Sequence, residues 1–452
     1  MTQKTFSAAM ADVPLRPFQV LVIAFGLMLL VIDGIDLQSL SLVTPVILEE
    51  WGIDRADFGP ALAASLFGMG FGSFFGGMLG DRLGRLKSLF IACLIFSAST
   101  AAAAYTNSVW EMAAVRALGG LGFGAAYPNA LALVSDWVNE KWRPHSISLL
   151  SIGIPVGISI SAAVIPLLLP EYGWRGAFLI FAGGSVALAV IVILILREPP
   201  GFLLARGNRE RAQKNAALVI DPAIELLPET ESSDAAAPGE RIGTFHRSNL
   251  RLNIAMVISF SAATTLVYGL LNWTPELLTT AGFTLEQAVR ASFWQGNLSI
   301  VGGLSAGLLA RTFGSKAVIL GGAAAILANI VVLGVVVEGL DGLPTAGEVT
   351  AIVLLEGLAV GLVSMMITLF YVVMAHGYPA SCRSGGIGFI LAAGRIFAIA
   401  MVFYGGTLIN LGGEGSFVWY FGTLSAIAVM VFAAAFIIDR HVGPARKKEQ
   451  LA

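Results

Sequence analysis

Charge is what this sequence has least of. Of its 452 residues, 12% are Asp, Glu, Lys or Arg, where soluble domains carry about 25%. Hydrophobic residues make up 56%, and the mean hydropathy is +0.82. So few charges cannot cover a soluble surface of this size, which excludes a soluble globular fold and predicts a polytopic membrane protein. Cysteine is nearly absent. The two present, Cys93 and Cys382, fall in an expected span and an expected loop, which excludes a disulfide framework and a metal cluster. A net charge of −2 offers no basic surface for nucleic acid. The chain has no GxxxxGK[ST] loop for direct use of ATP, and no HExxH or GxSxG for hydrolysis. No cofactor is expected. The N-terminus is polar to Arg16 and the first apolar run lacks a small-residue cleavage site, so no cleavable signal peptide is expected.

What is present is length in apolar runs. A helix needs about 20 apolar residues to cross a bilayer. Twelve such runs are readable: 18–47, 58–80, 88–106, 110–134, 147–169, 175–196, 251–273, 289–311, 317–338, 349–374, 385–410 and 417–438. The 52 glycines suit helices that pack closely without a hydrophobic effect between them. With both termini in the cytoplasm, only Arg55, Arg175 and Arg290 fall in outer loops and Arg116 and Arg395 inside spans; every other Lys and Arg of the 27 lies on the inner side. Residues 198–250 are the one long polar interruption, and "DPAIELLPETESSDAAAPGER" (221–241) reads as a mobile linker. The expected organisation is a six-helix bundle over 1–197, a cytoplasmic linker over 198–250 and a second six-helix bundle with a tail over 251–452.

Against this background, charges inside spans stand out. "LLVIDGIDLQSLSL" (29–42) carries Asp33 and Asp36 within a run that has no other charge from Phe18 to Leu48. Arg116, Glu356 and Arg395 are likewise intramembrane. Each costs at least about 2.5–3.5 kcal/mol at the bilayer centre, so each is expected to face a polar cavity or another charge. At about 1.5 Å per residue, Asp33 lies about 22 Å from the inner end of its span, and Arg116 and Glu356 have overlapping depths. An Asp33–Arg116 pair is therefore geometrically feasible. Asp33 and Asp36, three apart, share a helix face, and Gly34 between them lets a neighbouring helix or ligand approach. A carboxylate in a drying cavity can bind and release protons, which makes Asp33, Asp36 and Glu356 candidates for proton coupling. An arginine stays charged, and its planar fork matches a carboxylate ligand, which makes Arg116 and Arg395 substrate candidates. The competing reading of Arg116 is a buried pair with either aspartate that holds two helices together. Asp36, near the outer interface, can also snorkel into water.

The halves repeat. "GMLGDRLGRLK" (77–87) follows the second span and "GLLARTFGSK" (307–316) the eighth, aligning Gly77 with Gly307, Leu79 with Leu309 and Gly84 with Gly314. The second copy has Arg311 in the place of Asp81. The first of these loops resembles the signature loop of the major facilitator superfamily. Four segments also resemble the aromatic acid:proton symporters within it: "DGIDLQSL", "RALGGLGFGAAYPNALALVSDW", "GWRGAFLIFAGG" and "YPASCRSGGIGFILAAGRIFAI". In the last of these, "PASCRSGG" is more polar than that family suggests.

That resemblance implies an all-α membrane protein of twelve transmembrane helices in two pseudo-symmetric six-helix bundles, in a bacterial inner membrane, monomeric, with both termini cytoplasmic. It implies import of a small aromatic acid together with protons by alternating access. It makes the aspartates of the first span necessary for transport and puts Arg395 on the substrate side. It also turns Asp81, Arg82, Arg85 and Asp136 into an inner latch: Asp81 against the start of the eleventh span, Asp136 against Arg85. Their plainer reading is a tight glycine turn whose charges set topology. An aromatic acid needs ring partners, for which Tyr127, Tyr268, Trp273, Trp294 and Phe389 are candidates, with Asn129, Asn272, Gln295 and Asn297 for ring hydroxyls. Taken singly, such aromatics pack or form interface belts, and Trp273 is the most belt-like. His145 and His376 read as solvated loop histidines. Three other readings share these charges: a dicarboxylate carrier, a drug or solute:proton antiporter, and a sensor that kept the fold.

Overall fold

The computed structural model describes residues 3–11, 13–139, 141–227, 244–340, 342–378, 383–413 and 416–443. The long helices are α2 (Pro17–Trp51), α3 (Arg55–Leu83), α4 (Arg85–Ala103), α5 (Val109–Trp137) and α7 (Gly153–Ile195), then α10 (Leu250–Thr280), α11 (Leu285–Phe313), α12 (Ser315–Glu338), α13 (Ala346–Gly377), α14 (Arg383–Asn410) and α15 (Val418–Ala435). A short α6 (Arg143–Ser151) leads into α7.

Ten stretches are long and apolar enough to cross a membrane, one of them running from His145 to Ile195. That stretch is two spans. Gly173 inside α7 has φ 62° and ψ −179°, which is not helical. Trp174 beyond it donates to Glu50 at the end of α2, and Arg197 at the far end accepts from Trp137 at the end of α5. The chain therefore turns back at Gly173, between the expected spans 147–169 and 175–196. Helix α11 is 29 residues long but carries Arg290, Gln295 and Asn297, too polar a run to register by composition. With it the fold is twelve membrane helices in two bundles.

Three helices start three or four residues before their expected apolar runs, because polar caps extend them. Asp54 accepts from Ala56 N, and capping boxes form at Thr284 with Gln287 and at Thr345 with Glu348. The expected repeat is visible in the backbone. Gly84 ends α3 at φ 108° and ψ 151°, and Gly314 ends α11 at φ 80° and ψ 149°. Both turns need a left-handed φ that side chains rarely adopt. Gly34 meets the other expectation: a Cβ there would lie 2.1 Å from the Ile154 carbonyl, so its absence lets α2 and α7 touch.

One face of the molecule carries both ends of the described chain. There Gln19 donates to the Trp137 carbonyl, Arg143 to Ser135, and Arg251 to Ile437. On the opposite face Tyr105, Trp110, Tyr172 and Trp419 are exposed at helix ends, as an aromatic belt requires. Trp273 is not part of that belt. It is fully buried and donates to the Val402 carbonyl at 2.9 Å, since the outer end of α10 packs between bundles.

The linker is folded ahead of the stretch read as mobile, 221–241, of which only 221–227 is described. Residues after Glu198 form α8 (Pro200–Ala205), α9 (Arg209–Ala216) and a strand, β2 (Glu225–Leu227), which pairs in parallel with β1 (Gln3–Thr5). Ala212, Ala216, Val219, Ile220 and Leu226 are buried, and the helix α1 (Phe6–Met10) after β1 sets Phe6 edge-on to Trp137. The apolar spacing 212, 216, 219/220 is a helical stripe, short enough to be hidden among the surrounding charges. The remainder of the linker, 228–243, lies outside the described residues, as do Cys382 and the tail from 444.

Candidate substrate and proton site

Asp33 and Asp36 occupy the same helix face and are both buried. Their partners separate them. Asp36 accepts from Arg116 Nη1 at 2.7 Å and from Thr100 Oγ1 at 2.5 Å, while Arg116 Nη2 donates to the Asp36 carbonyl at 3.1 Å. This knot ties α2 to α4 and α5 inside one bundle. Arg116 thus meets Asp36 rather than Asp33, and its guanidinium is turned into the bundle. Asp36 is enclosed and not snorkelling.

Asp33 is 1% exposed, and neither carboxylate oxygen has a hydrogen-bond partner. Arg395, on α14 of the other bundle, lies within electrostatic range of Asp33 but not at ion-pair distance, and its Nη1 is buried and unpartnered. An unmatched buried charge is among the costliest features a structure can hold. Tyr127 on α5, Tyr268 on α10 and Tyr371 on α13 share this electrostatic neighbourhood. The Tyr371 ring rests edge-on against Phe260 at 5.5 Å, and the residue is 42% exposed. The site therefore has a carboxylate and a phenol from one bundle, and an arginine and two phenols from the other.

Glu356 forms a second polar centre within the C-terminal bundle. Buried on α13, it accepts from Thr274 at 3.0 Å and Gln295 at 2.9 Å. Gln295 is thereby committed on its amide nitrogen, while its Oε1 is unpartnered. Asn272 donates to the Tyr268 carbonyl one turn earlier. Asn129 braces α5 against α3 by donating to Gly76 and Ala125 carbonyls. Asn297 bonds back to Phe293 on its own helix, and Trp294 and Phe389 are part-exposed.

At the expected latch, Arg85 and Asp136 approach to 3.9 Å, both within the N-terminal bundle. The Arg82 carbonyl accepts from Arg206 of the linker. The side chain of Asp81 lies outside the described residues. Glu198, unremarked in the sequence, caps α4 by accepting from Leu86 N at 3.3 Å and Lys87 N at 3.1 Å. Burial pushes its carboxyl above the ordinary value of 4.5, against the lowering effect of those two donors. His145 and His376 are exposed.

The described bonds between the bundles cluster toward the face opposite the termini. Gln38 and Ser41 of α2 reach α10 and α11; Asp54 meets Asn410, and Arg55 lies 3.6 Å from Glu276. Sequence reasoning passed over Gln38, Ser41, Thr100, Thr274 and Tyr371. Gln38 was signalled, since it stands in the segment "DGIDLQSL". Tyr371 had no signal, as one more aromatic in an apolar run.

Two bundles enclosing unmatched charges define a membrane transporter rather than an enzyme. Residues 26–380 match the family model described as Major Facilitator Superfamily. The chain is 31% identical over 415 residues to the 4-hydroxybenzoate transporter PcaK of Pseudomonas aeruginosa, covering 88% of each. It is 26% identical over 440 residues to the benzoate transport protein of Acinetobacter baylyi, covering 95% of this chain and 91% of the other. Among solved structures, the inward-open xylose transporter XylE of E. coli superposes with a TM-score of 0.68 at 17% identity, over 95% of this chain and 98% of that one. The chain belongs to the major facilitator superfamily and, within it, to the aromatic acid transporters.

Proposed function

We propose that this protein imports an aromatic carboxylate together with protons by alternating access. The single observation that carries the reading is the pair of unmatched charges, Asp33 and Arg395, presented by opposite bundles to one cluster with Tyr127, Tyr268 and Tyr371. Arg395 holds the substrate carboxylate by its fork. Asp33 takes a proton, so that the chamber carries a neutralised load when the bundles move. Each binding event lowers the cost of burying the other charge, and that is the coupling. Tyr127 and Tyr268 line the ring, with Asn272 and Gln295 behind them. Glu356 is a second proton-coupling group. Asp36 supports Asp33 through the Arg116 knot, and Asn129 holds the helix that carries Tyr127.

The crowding of lysine and arginine on the face bearing the termini supports its assignment as the cytoplasmic face of a bacterial inner membrane. The bundles over 1–197 and 251–452 then rock about the site, joined by the linker 198–250, and the protein works as a monomer. The described bonds between bundles gather on the outer side, which supports reading this conformation as outer-closed. Asp81, Arg82, Arg85 and Asp136 close the inner side in the opposite state. The named relatives support an aromatic substrate. The test is uptake by proteoliposomes of labelled 4-hydroxybenzoate, benzoate and succinate under an imposed acid-outside gradient. Gradient-driven accumulation of the aromatic acids is expected; accumulation of succinate alone, or acid-driven efflux, would replace the reading.

A further inference from the structure

Proline has no backbone N–H, so within a helix it leaves the carbonyl four residues earlier without its donor. Pro275 lies inside α10, and the carbonyl it releases is that of Leu271. That oxygen is not left bare. It accepts from Gln38 Nε2 at 3.0 Å and from Ser41 Oγ at 2.9 Å, both on α2 of the other bundle. Ser41 Oγ also lies 2.7 Å from the Asn272 carbonyl, and Gln38 Nε2 lies 3.4 Å from Ser292 Oγ on α11. Gln38, Ser41, Leu271, Asn272 and Ser292 are all buried. A carbonyl oxygen has two lone pairs; at Leu271 Gln38 Nε2 engages one, and the single Ser41 hydroxyl proton is shared between the Leu271 and Asn272 carbonyls.

We infer that Pro275 creates the acceptor for a clasp closed by Gln38 and Ser41, and that this clasp holds the bundles shut on the face opposite the termini. Gln38 and Ser41 are positioning residues, bonded to α10 and α11 across the seam. Asn272 is bonded to the Tyr268 carbonyl at 2.9 Å, and Gln38 follows Asp33 by five residues on α2. Opening the clasp and reshaping the site therefore move the same two helix segments, α2 over 33–41 and α10 over 268–275. The inference rests on the alternating access proposed above and is indifferent to which acid is carried.

The test uses the full chain in liposomes with Cys93→Ser and Cys382→Ser, which remove the only two cysteines, and Ser159→Cys as reporter. Ser159 Oγ sits on the seam, 3.5 Å from the Phe293 carbonyl of the other bundle. The readout is the rate of labelling by a membrane-impermeant maleimide from the face opposite the termini. Ser41→Ala and Gln38→Leu should each raise that rate about tenfold, the worth of one net hydrogen bond. Pro275→Ala should raise it too, because the restored N–H competes for the Leu271 carbonyl. Ser41→Thr, which keeps the hydroxyl, should label like the parent, and adding Ser41→Ala to Pro275→Ala should add less than about twofold. Unchanged labelling in Ser41→Ala and Gln38→Leu overturns the inference. So does a full tenfold gain of Ser41→Ala on top of Pro275→Ala, or a Ser41→Thr that behaves like Ser41→Ala. A parent that labels as expected but moves no aromatic acid counts against the proposed substrate, leaving the clasp standing.

Discussion

Asp33 and Asp36 lie one helical turn apart, equally buried, yet one is fully engaged and the other has nothing. Asp36 has an arginine and a threonine within its own bundle. Asp33 lies within electrostatic range of Arg395 from the opposite bundle, and neither of its carboxylate oxygens makes a hydrogen bond. A charge satisfied within one rigid body holds that body together. A charge left open between two moving bodies is available for a ligand, a proton, or both. The difference separates a matched charge from an open one within three residues.

The largest expected effect breaks the architectural member. Asp36→Ala, or Arg116→Ala, leaves its partner buried and uncompensated, and should cost about 3–5 kcal/mol; thermal unfolding in detergent reads it, and a melting curve like the wild type's would dissolve the contrast. Arg395→Lys keeps the charge and loses the fork. Stability should hold while apparent affinity for 4-hydroxybenzoate falls about tenfold or more, the worth of a charge-assisted hydrogen bond. Equal affinity would move the anchor elsewhere. Tyr371→Phe sharpens the same side: uptake of 4-hydroxybenzoate should fall about fivefold relative to benzoate, if the phenol meets the ring hydroxyl. A parallel fall for both acids would mark Tyr371 as packing only.

The smallest effect lies outside the membrane. Glu198 has a raised pKa in the folded state because burial outweighs its two backbone donors. It therefore contributes stability that is present below its ordinary value of 4.5 and lost as pH rises through the raised value. Glu198→Gln should flatten the melting temperature across that window, and an unchanged slope would assign the pH dependence to another group.

The spans and the repeat were legible because each rests on one strong local signal, apolar length in the first case and a glycine turn in the second. Gly84 and Gly314 align in sequence and share a backbone conformation for the same steric reason. The split between Asp33 and Asp36 was not legible. Depth along a helix locates both near Arg116, and a single turn of rotation decides which one meets it. Trp273 reads as a belt residue from its place at the end of a span, but only the packing of α10 between bundles shows that it is buried. The folded part of the linker hid for another reason: its stripe of alanines and Ile220 is weakly apolar, and the strand that follows it pairs with the N-terminal strand, over two hundred residues away in sequence.

The central claim is that Asp33 couples a proton to an aromatic anion held by Arg395. The direct test is the accumulation of labelled 4-hydroxybenzoate by proteoliposomes as the acid-outside gradient is steepened, compared between the wild type and Asp33→Asn. The account predicts accumulation that climbs with the gradient in the wild type and stays flat in Asp33→Asn, with the variant folded and at least as stable. Accumulation that follows the gradient equally in both proteins would contradict it.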